Sequence, residues 1–404
     1  MRDVVVVGAG AAGLAAAQFA AAASADVLLL EGAARVGTKI LASGGGRCNV
    51  LPSRVDGASF WSHSAPRTMQ RVLAAFPLDA ARAWFERDLG VALVTEATGK
   101  VFPRSNRAAD IVHALRGGCD RAGVELRTSW RVDALTPVEG GFEVVRSTGE
   151  VVRCRRVVLA SGGLALPKSG SDGFGLRAAE ALGHSVAATY PALVPLTIDA
   201  PDLRALSGIA VPVSLSVHTD GRVVATEPGD LLLTHRGLSG PATLQISRHL
   251  TEPDARGRKL RIAWSAADWR AELADGAGGR QLGKTLRNHL PTRLADALLA
   301  RSGMAAADRI AGIRKPDRIA LEALLAEFEP IVTGSEGYKT AEVTGGGVRL
   351  DEVAAHDLQS RIVPGLHLCG EVLDATGRLG GYNFLWAWAS GKVAGHGAAA
   401  ARPR

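Results

Sequence analysis

The chain has 404 residues, 47% of them apolar, and a mean hydropathy of +0.11, which supports large cores in two or three domains and excludes a disordered chain. A formal charge of +7 and a pI near 9.5 admit an anionic partner, but scattered arginines also follow from coding bias and a mildly anion-friendly surface. Cys48, Cys119, Cys154 and Cys369 stand far apart without a C-x-x-C pair, so neither a disulfide framework nor a zinc site is indicated, no metal is expected, and a reduced cytoplasm fits best.

The chain opens on a strand-like Val4 to Val7 run and shows no secretory signal pattern. A Gly turn from Gly8 to Gly13, an Ala-rich helix to about Ala23 and a strand from Val27 to Leu30 complete a βαβ unit. The Ala11 to Ala25 stretch contains Gln18 and Ser24 and is too short and too weakly apolar to span a bilayer, so it reads as a buried helix and no membrane partner is expected. A second helix is predicted from Ala108 to Ala122. Strands follow near Val124 to Arg127, Phe142 to Arg146, Val151 to Arg153 and Val157 to Leu159, read as a meander beside a parallel sheet. Beyond Pro191, prolines punctuate β-like runs and mark a separate β domain. Between about Asp268 and Glu329 the pattern turns helical, with Leu282, Leu286, Leu290, Leu294 and Leu298 forming a core stripe. From Gly365 to about Gly397 a strand, a Gly-rich turn and a helix re-enter the first domain.

Gly8, Gly10 and Gly13, with Ala11 and Ala12 between them, follow a strand and open a helix, the context in which G-x-G-x-x-G carries meaning. Gly8 permits the turn, Gly10 lets a pyrophosphate approach the backbone, Gly13 permits close helix packing, and the helix N-terminus offers N–H groups to phosphate. Glu31 ends the next strand, where a carboxylate accepts ribose hydroxyls and disfavours a 2′-phosphate. The fingerprint alone does not separate FAD from NAD.

Further segments bear on that choice. Gly37, Thr38 and Lys39, then Ser43-Gly44-Gly45-Gly46-Arg47-Cys48-Asn49, read either as main chain passing against a ligand, with Lys39 and Arg47 suited to a pyrophosphate, or as a flexible loop. Ser161, Gly162 and Gly163 after the Val157 strand suit a nucleotide crossing the sheet edge, or form an ordinary turn. Gly370, Glu371, Asp374, Gly380, Gly381, Tyr382 and Asn383 precede a helix from Phe384 to Gly397. That double-glycine helix start would present N–H groups to the charge of a reduced isoalloxazine, and Asp374 would bind the ribityl or phosphate region; a structural helix is the rival account.

These segments, with Gly99-Lys100-Val101-Phe102-Pro103, Leu233 to Pro241, Ala341 to Val348 and Gly380 to Trp388, together resemble the bacterial aminoacetone oxidase-like and bile-acid-reductase-like flavoproteins. The resemblance implies an α/β fold: a Rossmann-like FAD-binding domain (1–190 and 349–404) interrupted by a β-barrel domain (191–267 and 330–348) carrying a helical insert (268–329). It implies FAD running from Glu31 past Gly8 to Gly13 and Lys39 to Gly381, Tyr382 and Asn383, with the backbone of Val132 at the adenine. Gly170 to Gly175 has the wrong spacing for a second fingerprint, so NADH or NADPH, if used, docks transiently. The expected activity is an FAD-dependent oxidoreductase, reductase or oxidase, acting on a small-molecule substrate with NAD(P)H or oxygen as redox partner. His235 and Arg236 are candidates to face that substrate, as proton donor and anion clamp, or His235 is bonded to backbone in a turn. Cys48 is a redox thiol or a packed one, and Tyr382 a proton donor or a ring that packs on the flavin. The alternative is a flavin module that senses redox state or binds nucleic acid through the basic helical stretch; its positions fall on no single helical face, so nucleic acid is not the expected partner. The oligomeric state is not legible.

Overall fold

The valines of β1 (Arg2–Val7) are apolar on both faces because the strand lies inside a parallel sheet, flanked by β2 (Val27–Leu30) and the strand Val151–Leu159. The computed structural model describes residues 1–274 and 279–400; residues 275–278, within the expected helical insert, and 401–404, at the end of the expected last segment, lie outside the described residues. Two units emerge, Met1–Thr189 with Val343–Arg404, and Tyr190–Glu342.

In the first unit the sheet runs Glu125–Arg127, β2, β1, Val151–Leu159, Gly141–Arg146, Val132–Val138. Strand Val151–Leu159 changes partner along its length: Val151 to Cys154 pair antiparallel with Gly141–Arg146, and Val157 to Leu159 pair parallel with Leu366–Leu368. The meander is therefore hydrogen-bonded into the parallel sheet. Glu125–Arg127, predicted as its first strand, is instead a parallel edge strand on β2. Carboxyl ends of β1, β2, Val151–Leu159 and Leu366–Leu368 lead directly into the Gly8 turn, Glu31, Ser161 to Gly163 and Gly370-Glu371. Ligands of open α/β sheets bind at that edge.

Helix α1 (Ala11–Ala22) is small-residued because another helix crosses it closely. On the C-terminal helix Tyr382–Ala400, a Cβ at Gly391 would lie 2.5 Å from the Ala12 carbonyl oxygen and one at Gly395 2.3 Å from that of Ala16. The indoles of Trp386 and Trp388 pin the helix, donating to the carbonyls of Gly370 and Val50 at 3.0 Å each. No helix among the described residues is long and apolar enough to cross a membrane.

The second unit holds a six-stranded antiparallel sheet, in the order Lys259–Ala263, Ala210–Thr219, Arg222–Leu233, Gly237–Ser239, Leu196–Ile198, Val332–Ser335. Among the described residues no ladder joins its two ends; a single bridge, Ile262 to Phe328, links the first strand to the chain just before the last. The helices Trp269–Glu272, Leu282–Arg287, Thr292–Arg301 and Lys315–Ala326 follow, and all five leucines of the stripe are buried in this unit's core. Residues 343–348 do not close this sheet, as the sequence suggested. Val343–Val348 pairs with Val186–Ala192 and belongs to the first unit.

Candidate cofactor site

The turn after β1 is shaped by contact with the neighbouring strand. Gly8 has φ +100°, and a Cβ there would lie 2.6 Å from the Ala160 carbonyl oxygen; a Cβ at Gly13 would lie 1.8 Å from that of Gly8. Gly10 differs, since a Cβ there meets nothing within 4 Å. No side chain caps α1 and its first turn carries no acid, so its leading N–H groups and positive potential face the open side. Glu31 accepts from the N–H of Ala9 and of Ala33 at 2.8 Å each. These two bonds orient the carboxylate and leave lone pairs for further hydroxyl donors.

Thr38–Ala42 forms a short helix behind left-handed Gly37. Lys39 turns from it to Glu371, Nζ to Oε2 at 2.7 Å, and Glu371 also accepts the Thr344 N–H at 3.0 Å. Lys39 is thus already paired with a carboxylate beside the expected pyrophosphate path. Gly44, Gly45 and Gly46 all take positive φ, and a Cβ at Gly45 or Gly46 meets nothing within 4 Å. Arg47 does not join this open edge as expected: its guanidinium bonds Glu96 and Asn106 and lies over the Phe102 ring. Asn49 accepts the Val101 N–H at 3.2 Å and is nearly buried.

At the next strand end, Ser161 Oγ is buried without a partner. Gly162 has positive φ, and a Cβ at Gly163 would lie 2.9 Å from Glu371 Oε1. Gly370 abuts Ala12 of α1, where a Cβ would come within 2.7 Å of the Ala12 Cβ. Asp374 is 1% exposed and turned towards residues 62–64. Its Oδ2 accepts from Ser62 Oγ at 2.9 Å, the His63 N–H at 2.7 Å and the Ser64 N–H at 3.2 Å, and its Oδ1 lies 3.1 Å from His63 Nδ1. Gly380 and Gly381 have φ of +115° and +93°, and a Cβ at Gly381 would lie 2.4 Å from the Leu51 carbonyl carbon. Tyr382 opens the C-terminal helix, its ring edge-on to Phe60 at 5.8 Å. The Asn383 amide is engaged by the turn before it, accepting the Gly377 N–H at 2.8 Å and donating to the Gly377 carbonyl at 3.0 Å.

A family model described as the HI0933-like protein Rossmann domain matches residues 2–397. The chain belongs to this family. Relatives include the ribosomal RNA dihydrouridine synthase of Escherichia coli strain K12, 36% identical over 395 residues and 96% of each chain. The 3-dehydro-bile acid delta(4,6)-reductase of Clostridium scindens is 32% identical over 432 residues and 100% of each chain. Among solved structures, the open conformation of a flavocytochrome c3 fumarate reductase shares the fold, with a TM-score of 0.51 at 18% identity over 99% of this chain and 78% of that one. HI0933-like proteins have a Rossmann-type FAD-binding domain, and the chain is a flavoprotein of the oxidoreductase class.

The residues present fit FAD. A bare helix N-terminus with open main chain at Gly10, a carboxylate at the end of β2 and an unpartnered buried hydroxyl at Ser161 lie at the sheet edge a dinucleotide crosses, and main chain is open at Gly45 and Gly46 as well. Val132 begins the outermost strand of that sheet and is buried. Gly170 to Gly175 follows the 3-10 turn Pro167–Ser169 and not a strand.

Of the residues expected to carry chemistry, Cys48 is corrected: it is fully buried, and burial pushes its thiol from an ordinary 9.0 up to about 12, so it holds its proton and is no redox thiolate. His235 and Arg236 lie in the second unit, exposed on a turn closed by Thr234 and Gly237, with Arg236 3.8 Å from Glu336. Sequence reading passed over His63, because a lone histidine in W-S-H-S has no recognisable pattern. Its partner Asp374 is hundreds of residues away in the chain.

Proposed function

We propose that this protein is an FAD-dependent reductase of a carbon–carbon double bond conjugated to a carbonyl, and that its substrate is a uridine of ribosomal RNA. One observation carries the reading: relatives named for making dihydrouridine in ribosomal RNA and for reducing a 3-dehydro-bile acid each align along almost the whole chain. Their substrates share one reactive group, a C=C bond polarised by a nearby carbonyl. In such a reduction a hydride adds to the carbon remote from the carbonyl, a proton adds to the adjacent carbon, and the double bond becomes single. The flavin, when bound, supplies the hydride.

The chain's own residues do the rest. N–H groups at the start of α1 and the open backbone of Gly10 hold the pyrophosphate, Glu31 orients the ribose, and Lys39 with Glu371 lines the path between them. The Gly380-Gly381 turn at the start of the C-terminal helix directs N–H groups towards negative charge at the ring, and Tyr382 flanks it. His235 and Arg236 remain candidates for touching substrate. A net charge of +7 suits RNA phosphates, and this reading takes nucleic acid as the partner where the scattered arginines alone did not suggest it. A small steroid-like 3-oxo compound is the second reading, favoured by the full-length bile-acid relative.

The test starts from purified yellow protein, reduced anaerobically with NADH and NADPH separately, then mixed with ribosomal RNA transcribed without modifications or with a 3-oxo-4,6-diene steroid. Dihydrouridine in the recovered RNA, detected by mass spectrometry, is the expected result. Reduction of the steroid alone would shift the reading to the second substrate, and loss of neither double bond would remove both.

A further inference from the structure

The reduction needs a proton as well as a hydride, and two of the residues singled out from the sequence are not held as an acid should be. His235 is exposed on a turn, and Cys48 is buried and protonated. A different pair has the required arrangement. Strand Phe60–Trp61 runs antiparallel to Thr376–Gly377 with Thr376 opposite Trp61 and Gly377 opposite Phe60. Continuing that register one way brings Arg378 to Ser59, whose carbonyl accepts the Arg378 N–H at 3.0 Å. Continuing it the other way brings His63 opposite Asp374. Their side chains meet, Nδ1 to Oδ1 at 3.1 Å, with the carboxylate 1% exposed and the imidazole 34% exposed.

We infer that His63 is the proton donor of the proposed reduction and that Asp374 is its positioning residue. Asp374 accepts from Ser62 Oγ and from the N–H groups of His63 and Ser64, so it is an acceptor fixed in place. Such an acceptor keeps the proton of a neutral imidazole on Nδ1 and stabilises the imidazolium, whose second proton is on Nε2. The strip that presents the dyad leads straight into the Gly380-Gly381 turn, proposed above to face the flavin: a Cβ at Gly377 would lie 2.7 Å from the Tyr382 Cβ and 2.9 Å from the Phe60 ring. In the step, the Nε2–H bond breaks as the proton goes to the carbon next to the substrate carbonyl, the hydride comes from the reduced flavin, and the imidazole regains a proton from solvent.

This assignment rests on the double-bond reading above, and the experiment separates the two. Flavin-loaded wild type, His63→Gln, His63→Asn and Asp374→Asn are reduced anaerobically and mixed, in deuterated buffer, with unmodified ribosomal RNA or a 3-oxo-4,6-diene steroid; reoxidation by oxygen is timed separately. His63→Asn keeps a donor where Nδ1 stood and so keeps Asp374 satisfied if His63→Gln fails to fold. The expected result is bound flavin and oxygen reoxidation within about twofold of wild type, reoxidation by the unsaturated acceptor slowed at least about 100-fold, the range for loss of a general acid, and deuterium entering both faces of the protonated carbon. Asp374→Asn loses about tenfold or more and keeps deuterium on one face. Wild-type rates and single-face deuterium in both His63 variants would overturn the assignment while leaving the reductase reading standing. A wild-type protein that neither acceptor reoxidises would bring down the reading, and this assignment with it.

Discussion

The two ends of the sheet edge hold charge in opposite ways. Around α1 the surface is bare main chain: no capping side chain, no acid in the first turn, and open space at Gly10. Around Asp374 to Asn383 side chains satisfy one another, with one carboxylate drawing together Ser62, His63 and Ser64, and an amide closing the turn before the last helix. Main-chain dipoles suit a ligand group that never changes charge, such as a pyrophosphate. Side-chain acids and bases suit a place where charge appears and disappears during reaction.

The largest effect that would sharpen this contrast comes from a glycine that only packs. Gly13→Ala sets a Cβ 1.8 Å from the Gly8 carbonyl oxygen, and the shift it forces should cost about 3 kcal/mol or more, lowering the melting temperature of flavin-free protein by roughly 10 °C. Gly10→Val should do the reverse, since nothing lies within 4 Å of its Cβ. Flavin-free stability should change by less than about 0.5 kcal/mol, while the dissociation constant for FAD, read by fluorescence titration, rises about 100-fold or more, equivalent to about 2.8 kcal/mol. Equal losses of stability and affinity in both variants would erase the distinction between packing and ligand-facing glycines.

Smaller again is Lys39→Met, which leaves Glu371 without its 2.7 Å partner. FAD binding should weaken about tenfold, near 1.4 kcal/mol, and unchanged affinity would place Lys39 outside the cofactor path. The last effect appears only at alkaline pH and concerns the thiols. Burial raises Cys48, Cys119 and Cys154 from 9.0 to about 12, so in the folded protein they stay protonated where the unfolded chain ionises. Their contribution is complete below pH 9 and declines as pH rises towards 12, with each thiol costing up to about 1.4 kcal/mol per pH unit in that window. Denaturant melts at successive pH values should show this slope, less steep in Cys119→Ala, and iodoacetamide at neutral pH should leave folded Cys48 unmodified.

The parts of the site written in consecutive residues were legible from sequence. The fingerprint, Glu31 and the leucine stripe announce themselves through glycine spacing, strand polarity and helical period. What stayed hidden depends on partners remote in the chain. Nothing in Thr38 to Ala42 says that Lys39 will meet Glu371, and Arg47 looked like a phosphate ligand until Glu96, Asn106 and Phe102 folded around it. Asp374 was singled out, but its protein partners were not, because its direction is set by an antiparallel register with residues 59–61 that local pattern does not encode. Val343–Val348 was misplaced for the same reason, its strand partner Val186–Ala192 lying across the whole second unit in sequence.

The close crossing of α1 by the C-terminal helix carries a consequence for biosynthesis. On the ribosome the fingerprint emerges before the second unit, and the helix that packs on it through Gly391 and Gly395 emerges after it, so the entire second unit is translated before the first can be sealed. Nascent chains halted short of Tyr382 should accumulate as colourless species with α1 exposed, and flavin capture waits for the synthesis of the C-terminal helix.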